Sequence, residues 1–178
     1  MTDIEFNNRR GTLSDGHVLR MQRRLRGPIE RVWSYLTDSD LRRLWLASGH
    51  MPLRPGATFE LVWRNDELSG SPTERPEGFS AEHRATCELV ELDPPRRMRY
   101  IWPGVGDVSI ELEALGNEVM LTLTHRQLSG DQLTLNVCAG WHAHLALLVA
   151  RLEGQTPPSL WSTWKRLRQE YEEQLCAS

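Results

Sequence analysis

The 178-residue chain holds one lysine, Lys165, among its 21 basic residues, and three cysteines, Cys87, Cys138 and Cys176. Cysteines this few and this far apart form neither a disulfide framework nor a zinc knuckle. Cys87 and Cys138 are therefore expected as buried apolar thiols, and Cys176 as an exposed one. Long apolar runs are missing as well. The strongest, at 145–150, falls well short of the roughly 20 residues that cross a bilayer. The opening MTDIEFNNRRG lacks the apolar centre of a secretory signal, so the default expectations are a cytoplasmic location and no membrane partner. No repeat period is visible. Net charge is -3, with acidic residues interspersed among the arginines, which argues against a nucleic-acid partner.

Motifs are scarce too. There is no Walker loop, no Rossmann glycine fingerprint, no HExxH and no nucleophile elbow. His142 and His144 lie two apart, so on a helix they point to different faces, His144 inward and His142 outward, and make a poor metal pair. Neither a metal nor a cofactor is expected.

What remains is periodicity. Residues 18–26 alternate, with Leu19, Met21 and Leu25 on one face and Arg20, Arg24 and Arg26 on the other, as in a strand with one packed face. Arg23 breaks the pattern by sharing the apolar face. Buried there it needs a ligand carboxylate or an internal acid, because an unpaired guanidinium is costly. Gly27-Pro28 ends the strand. Ile29, Val32, Trp33 and Leu36 then form a helical stripe, and Thr37-Asp38-Ser39 can cap a second short helix carrying Leu41, Leu44 and Trp45.

Strands are predicted at 57–64, 80–92, 96–102, 107–114 and 118–125, joined mostly by short turns that favour an antiparallel meander. Residues 65–78 are the exception, a long polar loop expected to be mobile, either a flap over a cavity mouth or a disordered insertion without a role. Arg97 and Arg99 face outward and should pair with Glu111 and Glu113 across strands. From 133 to 152 the period becomes helical, with Gly140 implying a close backbone approach. A last amphipathic helix, 159–175, carries the stripe Leu160, Trp164, Leu167, Tyr171 and Leu175. That stripe, with Trp161, must cover the chain's own core, another protein surface, or a second copy. In the last case Trp161, Trp164, Leu167 and Tyr171 would form a homodimer contact. The expected division is a domain over 1–154 and a helical extension over 155–178.

Together these elements predict an α+β fold, a curved antiparallel sheet wrapped around a long C-terminal helix with an additional C-terminal helix. Strand parity directs Phe59, Leu61 and Trp63 inward, then Ala85, Cys87 and Leu89, then Met98, Tyr100 and Trp102. The expected cavity lining is Met21, Arg23, Trp63, Cys87, Tyr100, Trp102, His125 and Trp141. His125 ends the inward row Val119, Leu121, Leu123. It could orient a polar ligand group, exchange a proton with it, or make one structural hydrogen bond.

Several ordered segments resemble the bacterial branch of the family related to the activator of Hsp90 ATPase, within the START-like or Bet v 1-like SRPBCC superfamily. They are LRGPIERVWSYLTDSDLRRLWL (25–46), LRPGATFEL (53–61), ATCELVELDPPRRMRYIW (85–102), VSIELEALGNEVMLTLTHRQL (108–128) and GWHAHLALLVARLEG (140–154). The resemblance implies a helix-grip fold with a cavity between sheet and helix. It makes Pro28, Val32, Trp33, Trp45, Leu123, Thr124 and Gly140 fold markers, and it brings His125 and Trp141 toward the cavity. The expected function is non-catalytic binding of a small hydrophobic or amphipathic molecule. The alternatives are a polyketide cyclase or aromatase using His125 as its acid-base group, and a chaperone-associated interaction module.

Overall fold

The structure, a computed structural model, describes residues 1–15 and 17–177. Helix α1 (Asp3–Asn7) begins at a capping box formed by Thr2 and Glu5, and β1 (Thr12–Ser14) follows it. Both are too short to carry a periodic signal. Strand β2 (Val18–Arg26) buries Leu19, Met21, Arg23 and Leu25, so Arg23 does lie on the packed face. In α2 (Ile29–Thr37) the stripe Val32, Trp33 and Leu36 is buried. Asp38 then caps α3 (Ser39–Arg42) by accepting from the Asp40 and Leu41 amides.

Strands β3 (Thr58–Trp63), β4 (His83–Asp93), β5 (Arg97–Trp102), β6 (Gly106–Leu115) and β7 (Glu118–Arg126) complete a seven-stranded sheet in the order β1-β2-β7-β6-β5-β4-β3. Every neighbouring pair is antiparallel, as short turns require. A register shift between Leu89 and Glu91 adds a bulge to β4, and a bulge bends the strand that carries it. The curved sheet wraps α4 (Asp131–Glu153). Gly154, left-handed at φ 70, stops that helix by returning its amide to the Ala150 and Arg151 carbonyls. Helix α4 is long and apolar enough to cross a membrane, but 72% of its most apolar window is buried inside the protein, as in a core helix.

Helix α5 (Leu160–Cys176) lies against α4. Its stripe covers the chain's own core as far as Tyr171: Leu160, Trp161, Trp164, Leu167 and Tyr171 are all buried, so Trp161, Trp164, Leu167 and Tyr171 do not face outward as a dimer contact would need, while Leu175 is exposed. The gross gain for Leu160 and Leu167 alone is about 1.5–3 kcal/mol each. This packing also corrects the expected position of His142. The residue is buried under α5, where its Nδ1 lies 3.0 Å from the Tyr171 hydroxyl.

Two further expectations change. The segment after β3 is fastened, with short 3-10 turns at Asn65–Leu68 and Pro72–Glu74. Trp161 Nε1 donates to Asp66 Oδ1 at 2.9 Å, the Trp161 amide donates to Ser69 Oγ at 3.0 Å, and the Gly70 amide donates to Ser159 Oγ at 3.2 Å. Gly140 makes no close backbone approach either, since the nearest atom to an added Cβ would be Trp164 Nε1 at 4.0 Å. On the outer face Arg97 pairs with Glu111, whereas Arg99 bonds Glu91 and Asp107 at 2.8 and 2.7 Å.

Candidate functional site

The inner face of the sheet is filled at one end and hollow at the other. The hollow end forms a cavity of about 430 Å³ that opens to solvent. One wall is aromatic and comes from strand ends: Trp63 closes β3 and Trp102 closes β5, with ring centroids 5.0 Å apart and planes within 18° of parallel. His83, at the exposed start of β4, tilts over Trp63 at 5.4 Å. The opposite wall is helical. Leu133, Val137, Gly140, Trp141 and His144 recur at helical spacing along one face of α4, and Gly140 leaves room where any other residue would project. The first turns of α5 add Leu160, Trp161 and Trp164, whose two indoles meet edge to face. Phe79, packed against both indoles and 39% exposed, stands at the rim with Gly78 and Ser80.

Five of the seven tryptophans thus line the cavity, and among the described residues that line it none is aspartate, glutamate, lysine or arginine. Three of the indole N–H groups are committed to the protein. Trp141 Nε1 donates to His125 Nδ1 at 2.9 Å, Trp161 Nε1 to Asp66, and Trp164 Nε1 to the Asn136 carbonyl at 3.3 Å.

Of the residues expected at the site, Trp63, Trp102 and Trp141 form its wall. His125 stands behind them and does not line it. Its Nε2 lies 3.2 Å from the Val105 carbonyl and its Nδ1 accepts from Trp141, so both ring nitrogens are engaged. Burial, the dominant cause, holds its pKa down at about 4, which keeps the ring neutral near neutral pH. Gly106, at φ 142, makes this arrangement fit: an added Cβ would stand 2.8 Å from His125 Nε2 and 2.2 Å from the Arg126 carbonyl.

Tyr100, Cys87 and Met21 belong to the filled core. Tyr100 meets Phe59 edge to face, and burial raises both its hydroxyl pKa and that of the Cys87 thiol, the latter to about 12. Arg23 is also away from the cavity, so it is not placed to meet a ligand carboxylate there. It is 1% exposed. Its Nη1 donates to the Gln22 carbonyl at 2.7 Å, while Nε and Nη2 have no hydrogen-bond partner, and burial lowers its pKa to about 10.

The sequence reading missed Phe79, Leu133, Val137, Leu160, Trp161, Trp164 and His144 as wall residues. For the α4 members a signal existed, because positions 133, 137, 140, 141 and 144 share one helical face. A second buried arginine, Arg42, was also missed. It closes the ends of the short helices by donating to the Leu36, Thr37, Ala47 and Gly49 carbonyls, and nothing in its local pattern announces that.

A curved antiparallel sheet gripping a C-terminal helix defines the helix-grip class of START-like SRPBCC proteins. Within it, the chain belongs to the Activator of Hsp90 ATPase homolog 1-like family, whose profile matches residues 26–153. It is 40% identical to the protein encoded by gene BPP1335 from Bordetella parapertussis, with a TM-score of 0.77 over 91% of this chain and 88% of that one. CalU16 from Micromonospora echinospora shares 23% identity, with a TM-score of 0.64 and coverage of 88% and 86%. The conserved protein of unknown function EF2215 from Enterococcus faecalis shares 14%, with a TM-score of 0.68 and coverage of 94% and 90%. These last two show likeness of fold alone. No curated protein matches the chain. Fold and family are those of SRPBCC-type ligand-binding proteins in general.

Proposed function

We propose that the chain binds a neutral hydrophobic or weakly amphipathic small molecule in this cavity without transforming it. The observation that carries this reading is a cavity of about 430 Å³ walled by five tryptophans and, among the described residues, by no aspartate, glutamate, lysine or arginine. The volume falls within the roughly 300–1,000 Å³ of small-molecule pockets. An ionised ligand would lose its hydration with no opposite charge on the wall to replace it. Non-catalytic binding is favoured because His125, the acid-base candidate, has both nitrogens engaged behind the wall. Trp161 and Trp164, the residues a chaperone-contacting surface would have used, face the interior.

Naphthalene, uncharged and flat, is a suitable probe. Calorimetry should show wild-type binding that weakens at least about tenfold, or 1.4 kcal/mol, in Val137→Trp, which fills the cavity from α4. Undiminished affinity in a Val137→Trp protein of native circular dichroism would overturn the assignment of the site.

A further inference from the structure

Apolar walls select a ligand by shape and area, whereas one fixed polar atom selects it by chemistry. His144 supplies such an atom. Its Nδ1 lies 2.7 Å from the Trp45 carbonyl. A carbonyl oxygen can only accept, so Nδ1 carries the proton and the neutral ring presents Nε2 as a bare lone pair. Burial keeps the ring neutral by lowering its pKa to about 4. The residue forms part of the cavity wall and is 7% exposed, and among the described residues no protein group bonds Nε2. The two ring nitrogens point in divergent directions, so Nε2 is turned away from the Trp45 carbonyl. This wiring separates His144 from His125, whose two nitrogens are both committed.

Another polar atom of the wall has the same sign. Asn65 Oδ1 is a second acceptor without a partner. The indole N–H groups of Trp141, Trp161 and Trp164, which could have served as donors, are committed inside the protein. Asn136 Oδ1, also on the wall, already accepts from Arg168 at 2.9 Å. The cavity therefore offers unpaired acceptors beside flat π surfaces. A ligand that satisfies these acceptors brings a hydrogen-bond donor, and an aromatic frame suits a wall of five indoles.

We propose that the cavity selects aromatic molecules carrying a hydroxyl group, with His144 Nε2 accepting the hydrogen bond from that hydroxyl. This rests on reading the cavity as the ligand site, and the test separates the two. Calorimetric affinities would be compared for 2-naphthol, naphthalene and 2-methoxynaphthalene, which share a ring system while only the first has a donor. Wild-type protein should bind 2-naphthol at least about fivefold more tightly than either of the others, the size of one ordinary hydrogen bond. His144→Leu should abolish that preference and leave naphthalene binding intact. If that variant fails to fold, the wild-type series still decides, together with the ¹⁵N resonance of His144 Nε2, which should move with 2-naphthol and hold with naphthalene. Equal affinity for all three probes, or an unmoved Nε2 resonance at saturation, overturns the hydroxyl proposal alone. Absence of binding by any of them overturns the ligand-site reading and the proposal with it.

Discussion

Three histidines, His125, His142 and His144, are buried around α4, each with a different partner. Burial lowers their folded-state pKa values to about 4, 3 and 4, below the ordinary 6.5. As pH falls through 6.5, the unfolded chain takes up protons that the folded chain refuses, so stability must fall between pH 6.5 and about 4 and change little above pH 7. At about 1.4 kcal/mol per pKa unit, three such groups should cost about 4 kcal/mol between pH 7 and pH 5.5. Urea midpoints at those two values measure it, and equal midpoints would contradict the depressed values. The carboxylates of Glu82, Glu91 and Asp93 are held below their usual range, mainly by hydrogen bonds from arginines. Strand parity placed His125 at the end of an inward row. Whether its nitrogens face a cavity or a carbonyl depends on Val105 and Trp141, which are remote in sequence, so its role was not legible.

At the scale of elements, α5 joins the core through one phenol. Tyr171 Oη accepts from the Gly11 amide at 2.8 Å and lies 3.0 Å from His142 Nδ1, so a single hydroxyl ties α5, α4 and the N-terminal segment together. Tyr171→Phe would leave the Gly11 N–H and His142 Nδ1 buried and unpaired, a loss of about 1–3 kcal/mol. Chemical denaturation checks this, and a loss below about 0.5 kcal/mol would show that the hydroxyl has replaceable partners. The 3.6-residue period identified α4 and α5 to within two residues at each end, because an apolar stripe is a local property of the chain. What each stripe covers is not local. The dimer alternative stood open for that reason, and in the structure the α5 stripe lies against α4. The polar loop between β3 and β4 looked free for the same reason, since the groups that fasten it, Ser159 and Trp161, lie some 90 residues downstream.

Across the whole molecule, the meander and the helix it grips were readable because each strand alternates and each turn is short. The division of the interior was not. Met21, Cys87 and Tyr100 share inward parity with Trp63 and Trp102, yet the former pack into the filled core and the latter open onto the cavity. Parity gives the face of a side chain but not its position along a curved sheet. The boundary between the two ends depends on where α4 crosses, on the space left by Gly140, and on α5 closing the far side with Trp161 and Trp164.

The central claim is that this hollow end receives the ligand, and the chain's seven indole N–H signals are reporters placed to test it. In ¹H–¹⁵N spectra recorded during titration with 2-naphthol, the signals of Trp63, Trp102, Trp141, Trp161 and Trp164 should shift together and saturate at one equivalent, while that of Trp33, which does not line the cavity, holds still. Five unmoved cavity signals at saturating ligand, or a shift at Trp33 in their place, would contradict it.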